Sequence, residues 1–243
     1  YLNWLQATQK FGFSLLDDVA PTEQATQDAM EMIGFVQATM FGTMWSFSAN
    51  LAKSDMAYTS DHLHPHTDST YLSEATGYQS LHCTQFNGTV PALNTLVDGG
   101  NAVAQLSEAS VDVLSRYPTE GRYFDEFYDF HNVDTALKRD SQSGKIIQLR
   151  YNNEDRHLLR FNAINTIEWY TAWSELSSLL RDEKNALKLE LSPGTMLTFD
   201  NWRVLHGRHA FVGERTVSGG YASRQTLSSR VRVLQRQLRQ ASE

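Results

Sequence analysis

The sequence predicts a β-rich α+β fold, a double-sheet jelly roll core with flanking helices. Three observations lead there. Short alternating or aromatic segments bounded by turns fill most of the chain, helical periodicity is confined to a few stretches, and long excursions between strands do not repeat as strand–helix units. The 243 residues can bury a sizeable core without covalent staples. No Pro/Gly/Ser linker, repeat or low-complexity tract divides them, so a single domain over 1–243 is expected. The lone cysteine, Cys83, excludes a disulfide scaffold.

The elements follow in chain order. After Pro21, Thr22 suits a helix N-cap, and Ala25, Ala29, Met32, Ile33 and Val36 fall on one stripe. Gly100 to Ser115 reads as two short helices broken near Ser107. A longer helix is expected from Asn165 to about Arg181, with Asn165 and Glu168 as a capping box and Ile167, Tyr170, Leu176 and Leu179 as its apolar face. Strands are expected at 78–86, 122–130, 145–151, 187–191 and 195–199, with Ser192-Pro193-Gly194 turning between the last two. The basic tail from Arg230 to Arg239 reads as a solvated strand and helix.

With 21 Lys+Arg against 28 Asp+Glu, the net charge is −7. That balance argues against nucleic acid or an anionic membrane surface, whose affinity rests on excess positive charge. The stretch 1–13 lacks the basic and apolar regions of a secretory signal, and 30–36 is broken by Glu31 and Gly34. A soluble intracellular protein acting on a small molecule is expected, and Tyr1 in place of an initiator suggests that a leading segment precedes it.

The densest polar cluster is Asp61-His62-Leu63-His64-Pro65-His66-Thr67-Asp68. On an extended segment, side chains two apart share a face, so His66 and Asp68 can offer an imidazole nitrogen and a carboxylate oxygen to one ion. A third ligand is needed, and His206, 138 residues after Asp68, is the candidate. Two His and one carboxylate on one side of Fe(II) leave adjacent positions for a 2-oxo acid and O2. Arg215, nine residues after His206, could hold the far carboxylate of 2-oxoglutarate through a bidentate pair. His62 and His64 leave a competing reading, a His-x-His-x-His zinc cluster, which gives Arg215 no task. His82 and His131 read as structural, and His157 and His209 as surface or network residues.

The blocks His66–Tyr71, Leu81-His82-Cys83, Thr95–Gly99, Arg150–Arg156 and Phe199–Arg208 resemble the 2-oxoglutarate-dependent hydroxylases of carnitine biosynthesis, the trimethyllysine and γ-butyrobetaine dioxygenase family. The likeness runs in order from about Phe11 to Leu234, and Asp200–Arg208 is its most specific part. It implies a double-stranded β-helix, Fe(II) on His66, Asp68 and His206, 2-oxoglutarate on Arg215, and ascorbate as reductant. It also implies substrate hydroxylation with release of succinate and CO2, in the cytoplasm or mitochondrial matrix. Gly99 stands where the family usually has an aromatic; the family's N-terminal domain, associated with dimer formation, is not expected within these residues, and a homodimer stays open.

Substrates of this family carry a quaternary ammonium, which has no N–H to donate and is recognised by aromatic faces and diffuse negative charge. The resemblance places Phe41, Trp45, Tyr58 and Tyr221 in that cage, Phe41 lacking the hydroxyl of the usual Tyr. Asp55 would repel the carboxylate of γ-butyrobetaine and pair with the α-ammonium of trimethyllysine, while Asn152 would donate to the substrate carboxylate. N6-trimethyllysine, hydroxylated at C3, is therefore the expected substrate. The alternatives are an oxygenase of the same fold acting on γ-butyrobetaine or another cationic amino acid, and a non-catalytic quaternary-ammonium binder.

Overall fold

The computed structural model describes residues 1–48 and 60–241. Its architecture is the expected pair of antiparallel sheets with helices packed on both outer faces. One sheet has the order β1 (Phe13–Leu16), β11 (Met196–Asp200), β4 (Tyr78–Val90), β13 (Val212–Ala222), β2 (Met44–Ser48). The other has the order β10 (Ala186–Glu190), β5 (Leu93–Asp98), β12 (Val204–Arg208), β3 (Leu63–His66). Two small hairpins, β6 (Pro118–Phe124) with β7 (Asp129–Thr135) and β8 (Leu137–Arg139) with β9 (Ile146–Leu149), stand beside the sandwich.

Alternation along the strands creates the layers. Leu197 and Phe199 of β11, Leu96 of β5 and Val204 of β12 meet between the sheets. Met196 of β11 turns the other way, onto α1 (Leu2–Phe11), α2 (Glu23–Ile33) and α6 (Arg224–Ala241). Val97 and Leu205 face α3 (Gly99–Val103), α4 (Glu108–Arg116) and α5 (Ala163–Arg181). Among the described residues, no helix is long and apolar enough to cross a membrane.

Several expectations shift in detail. Thr22 caps α2 by accepting from the Ala25 N–H, as its sequence suggests, but the buried stripe is Thr26, Ala29, Met30 and Ile33, and Met32 is exposed. Helix α5 begins earlier than expected, with Asn162 as its cap accepting from Asn165 N–H. Its buried face is Trp169, Trp173, Leu176 and Leu180, whereas Ile167 and Tyr170 look outward. The helix turns its two indoles inward because Trp173 stacks on both Trp169 and Tyr151 at 4.7 Å, while Arg156 lies over the Trp169 and Trp173 rings. The segment 122–130 is no single strand: it is the turn of the β6–β7 hairpin with the strand ends beside it, Asp125 capping the bend. The tail is helix α6 alone, and α1, β1, β2, β5, β8, β12 and β13 had no assignment in the sequence. The two short helices meet as expected at Ser107, which caps α4.

Glycines make room where backbone segments approach closely. At Gly99 a Cβ would come within 2.7 Å of the Arg203 carbonyl, so the aromatic usual there cannot fit this backbone. A Cβ at Gly219 would lie 2.1 Å from the Ser80 carbonyl and 2.5 Å from the Trp45 ring. Gly219→Ala should therefore cost about 1–3 kcal/mol of stability by overpacking, read as a lower urea midpoint, and should displace the indole, read as a shifted Trp fluorescence maximum.

Candidate functional site

Strand β3 delivers His66 through an irregularity. Its register with β12 pairs His66 with His206 but Leu63 with Arg208, three residues against two, a bulge. The extra residue turns His66 onto the inner face and leaves His62 and His64 on the outer side. Gly207 permits the approach, since a Cβ there would lie 2.6 Å from the Leu63 carbonyl. His62 and His64 pack against each other, and His62 against His209, away from the cleft. Among the described residues, only His66, Asp68 and His206 form a three-residue group able to share an ion, with ligand atoms within 4.8 Å of one another. The zinc alternative through His62 and His64 loses its geometry.

Asp68 lies beyond the end of β3, so strand alternation does not place it. Asn201 does: its carbonyl oxygen accepts the Asp68 N–H at 2.9 Å, and its amide donates to the carbonyls of Asp68 at 3.1 Å and Thr76 at 3.0 Å. Ser69, with φ 65°, completes the bend. Asn201 sits within the Asp200–Arg208 block, yet nothing in its spacing identified this role.

His66 Nδ1 donates to the His64 carbonyl at 2.9 Å, which turns Nε2 toward Asp68 Oδ1, 3.3 Å away. His206 Nε2 lies 3.8 Å from the same oxygen. The Tyr221 hydroxyl donates to Asp68 Oδ2 at 3.1 Å. Burial alone would raise the Asp68 pKa, but His206, His66 and the Tyr221 hydroxyl hold it well below the usual carboxylate range. For His66, burial is outweighed by the Asp68 hydrogen bond and charge, and its pKa rises. His206 goes the other way: burial, then the neighbouring His66, lowers it to about 3. An ionised carboxylate beside a neutral imidazole and a second imidazole with its far nitrogen already tied to a carbonyl is a donor set suited to a divalent ion. His206 Nδ1 is buried, and Nε2 is the nitrogen that faces Asp68.

The trio opens into a cleft of about 440 Å³ between the sheets. Arg215 of β13 lines it, 5% exposed, and donates to Asn94 Oδ1 at 3.4 Å. Arg208 lines it too, and burial together with Arg215 lowers its pKa to about 10, so it stays cationic at neutral pH. Neither Asn94 nor Arg208 was assigned a role from the sequence. Trp45 and Tyr221 come together at 5.8 Å, while Phe41 lines the same cleft in another ring group, edge-on to Tyr123 at 5.9 Å. Asn152 also lines it: its side-chain oxygen accepts the N–H groups of Glu154 and Asp155, leaving the amide as the donor. Asp55 and Tyr58 lie outside the described residues. His82 has the structural place expected of it, bonded to Thr26 at 2.8 Å.

The profile of the family described as "Taurine catabolism dioxygenase TauD, TfdA family" matches residues 2–221. This chain belongs to that family. Among its relatives, it is 36% identical over 241 residues to the mitochondrial trimethyllysine dioxygenase of Gallus gallus, covering 95% of this chain and 57% of that protein. The corresponding Homo sapiens enzyme is 33% identical, covering 95% and 56%. The γ-butyrobetaine dioxygenase of Homo sapiens is 26% identical, covering 97% and 63%. The likeness is thus closer to trimethyllysine dioxygenase, and the chain spans just over half the length of those two relatives. The fold of the TauD, TfdA family is shared with an asparagine oxygenase solved with Fe(II), 3-hydroxyasparagine and succinate (TM-score 0.70, 14% identity, covering 91% and 78%). It is also shared with the non-haem iron oxygenase OrfP solved with Fe and α-ketoglutaric acid (TM-score 0.66, 16% identity, covering 91% and 79%).

The titrations at the trio predict the acid response of the metal-free protein. His206 is neutral in the fold down to about 3 but takes a proton near 6.5 when exposed, so unfolding is favoured as pH falls below 6.5. His66, raised, contributes stability that is constant below 6.5 and lost only as pH rises above it, so it does not offset the His206 slope. His206→Gln should therefore flatten the loss of stability below pH 6.5 in urea titrations, and an unchanged slope would show that His206 does not govern it.

Proposed function

We propose that this chain is the catalytic domain of an Fe(II)- and 2-oxoglutarate-dependent dioxygenase that hydroxylates N6-trimethyllysine at C3. The observation that carries this reading is the trio His66, Asp68 and His206, its ligand atoms converging, sharing one cleft with Arg215. The names of the trimethyllysine dioxygenase relatives support the substrate. A ferrous ion held by the trio, with 2-oxoglutarate, O2 and ascorbate as reductant, supplies the oxidising power to place a hydroxyl on an unactivated carbon while the oxo acid becomes succinate and CO2.

The chain's own residues position the reactants. Tyr221 and Asn201 fix the two sides of Asp68, which keeps both imidazoles turned to one point. Arg215 and Arg208, in a cleft largely removed from water, favour the dicarboxylate co-substrate, and a guanidinium can take its far carboxylate bidentately. Trp45 and Tyr221 offer ring faces to the trimethylammonium, and the Asn152 amide a donor to the amino acid carboxylate. Asp55, opposite in charge to an α-ammonium, completes the selection against γ-butyrobetaine. Holding both ends of the substrate decides which C–H faces the metal, and misplacement of about 1 Å can cost on the order of a hundredfold in rate.

The test is succinate formation from 2-oxoglutarate with Fe(II) and ascorbate, stimulated in turn by trimethyllysine, γ-butyrobetaine and lysine. Trimethyllysine should stimulate most, and greater stimulation by γ-butyrobetaine would overturn the substrate assignment. His66→Ala and Asp68→Ala should reduce turnover to background. Arg215→Gln should raise the KM for 2-oxoglutarate by about a hundredfold, since hydrogen bonds to a charged group contribute about 1.5–3 kcal/mol.

A further inference from the structure

The mouth of the cleft has a wall with no assigned task. Tyr123, Phe124 and Asp125 from the outer end of the β6–β7 hairpin line it. The Tyr123 ring meets Phe41 edge-on, centroids 5.9 Å apart and planes at 83°, and lies 5.2 Å from Tyr71. Its hydroxyl donates to Asp125 Oδ2 at 2.9 Å, while Asp125 Oδ1 accepts the N–H groups of Phe127 at 2.8 Å and Tyr128 at 2.7 Å. The carboxylate is thus held in one orientation by the turn it caps.

The charge at this wall has a definite sign. Arg122, also at the cleft and over the Phe124 ring at 5.2 Å, is paired with Asp129 by two hydrogen bonds, at 3.0 and 2.9 Å. Asp125 makes no such ion pair among the described residues, and Glu154 and Asp155 line the cleft nearby. A phenol that donates to a carboxylate is polarised so that the negative potential over its ring deepens. A ring face backed by a fixed anion suits a cation with no N–H to offer, which cannot be bound by hydrogen bonding. Phe41, lacking a hydroxyl, cannot supply that potential itself, but it packs against the ring that does.

We propose that Tyr123 and Asp125 are specificity residues, the hairpin's phenol–carboxylate pair forming the wall of the quaternary-ammonium site on the Phe41 side. This rests on reading the cleft as the site of a trimethylammonium amino acid. It adds to that reading a wall drawn from outside the sandwich, which selects the positive charge as well as the shape of the trimethylated group.

Direct binding by calorimetry tests it without turnover. The probes are trimethyllysine and its isostere with carbon in place of the quaternary nitrogen, which keeps the amino acid end and shape but loses the side-chain charge. Wild-type protein should prefer the cation. Asp125→Asn and Tyr123→Leu should each weaken trimethyllysine by about tenfold and the isostere much less, so the preference falls, with Tyr123→Phe between them and wild type. Affinity for 2-oxoglutarate should not change. Equal weakening of both probes would assign the pair to general packing or to the α-ammonium, and no weakening would remove it from the site; either result overturns the proposal. The oxygenase reading fails differently: binding with the expected selectivity but no succinate would sink it and leave the hairpin's role, whereas absence of binding to wild-type protein would overturn both.

Discussion

Taking a carboxylate out of water costs several kcal/mol unless partners replace its hydration, and the cleft of this protein is arranged around one that stays ionised. Asp68 has two imidazoles near one oxygen, a phenol on the other, and its own backbone clamped by Asn201. Each partner ties in a different part of the chain: β3, β12, β13 and the turn after β11. The carboxylate therefore works as a keystone, and the imidazoles converge because they face it. The same concentration of negative charge suits the site to a cation.

The two ends of the cleft then divide the work by charge. Inside, Arg208 and Arg215 make the region beside His206 electropositive, fit for a dicarboxylate. Toward the mouth, aromatic rings and carboxylates prevail, and Arg122 is neutralised by Asp129. The two ends of one cavity therefore suit groups of opposite charge. Such complementarity orients reactants before any chemistry begins.

Much of this was legible in the chain. The His66 and Asp68 pair and the cap at Thr22 were readable from residue type and local order, while His206 and the jelly roll needed the pattern of the whole chain. Errors fell where neighbours decide. Met32 and Ile167 match a helical stripe yet are exposed, since it is Met30 and Trp169 that their helices turn into the cores. The segment 122–130 has the β-forming residues of one strand, but Asp125 bends it into a hairpin.

What the sequence determined by itself was the inventory: two histidines, a carboxylate and a guanidinium of the right chemistry, and a periodicity that makes two sheets. What tertiary structure decided was which histidines count and what surrounds them. His62, His64 and His66 are equivalent by alternation, and only the bulge against β12 separates the third from the others. Likewise Asn201, Asn94, Arg208 and Tyr123 acquire their places through contacts with segments distant in the chain. Local order specifies which groups a strand carries, but the direction in which they point is set by the register of its neighbour, a property of the pair.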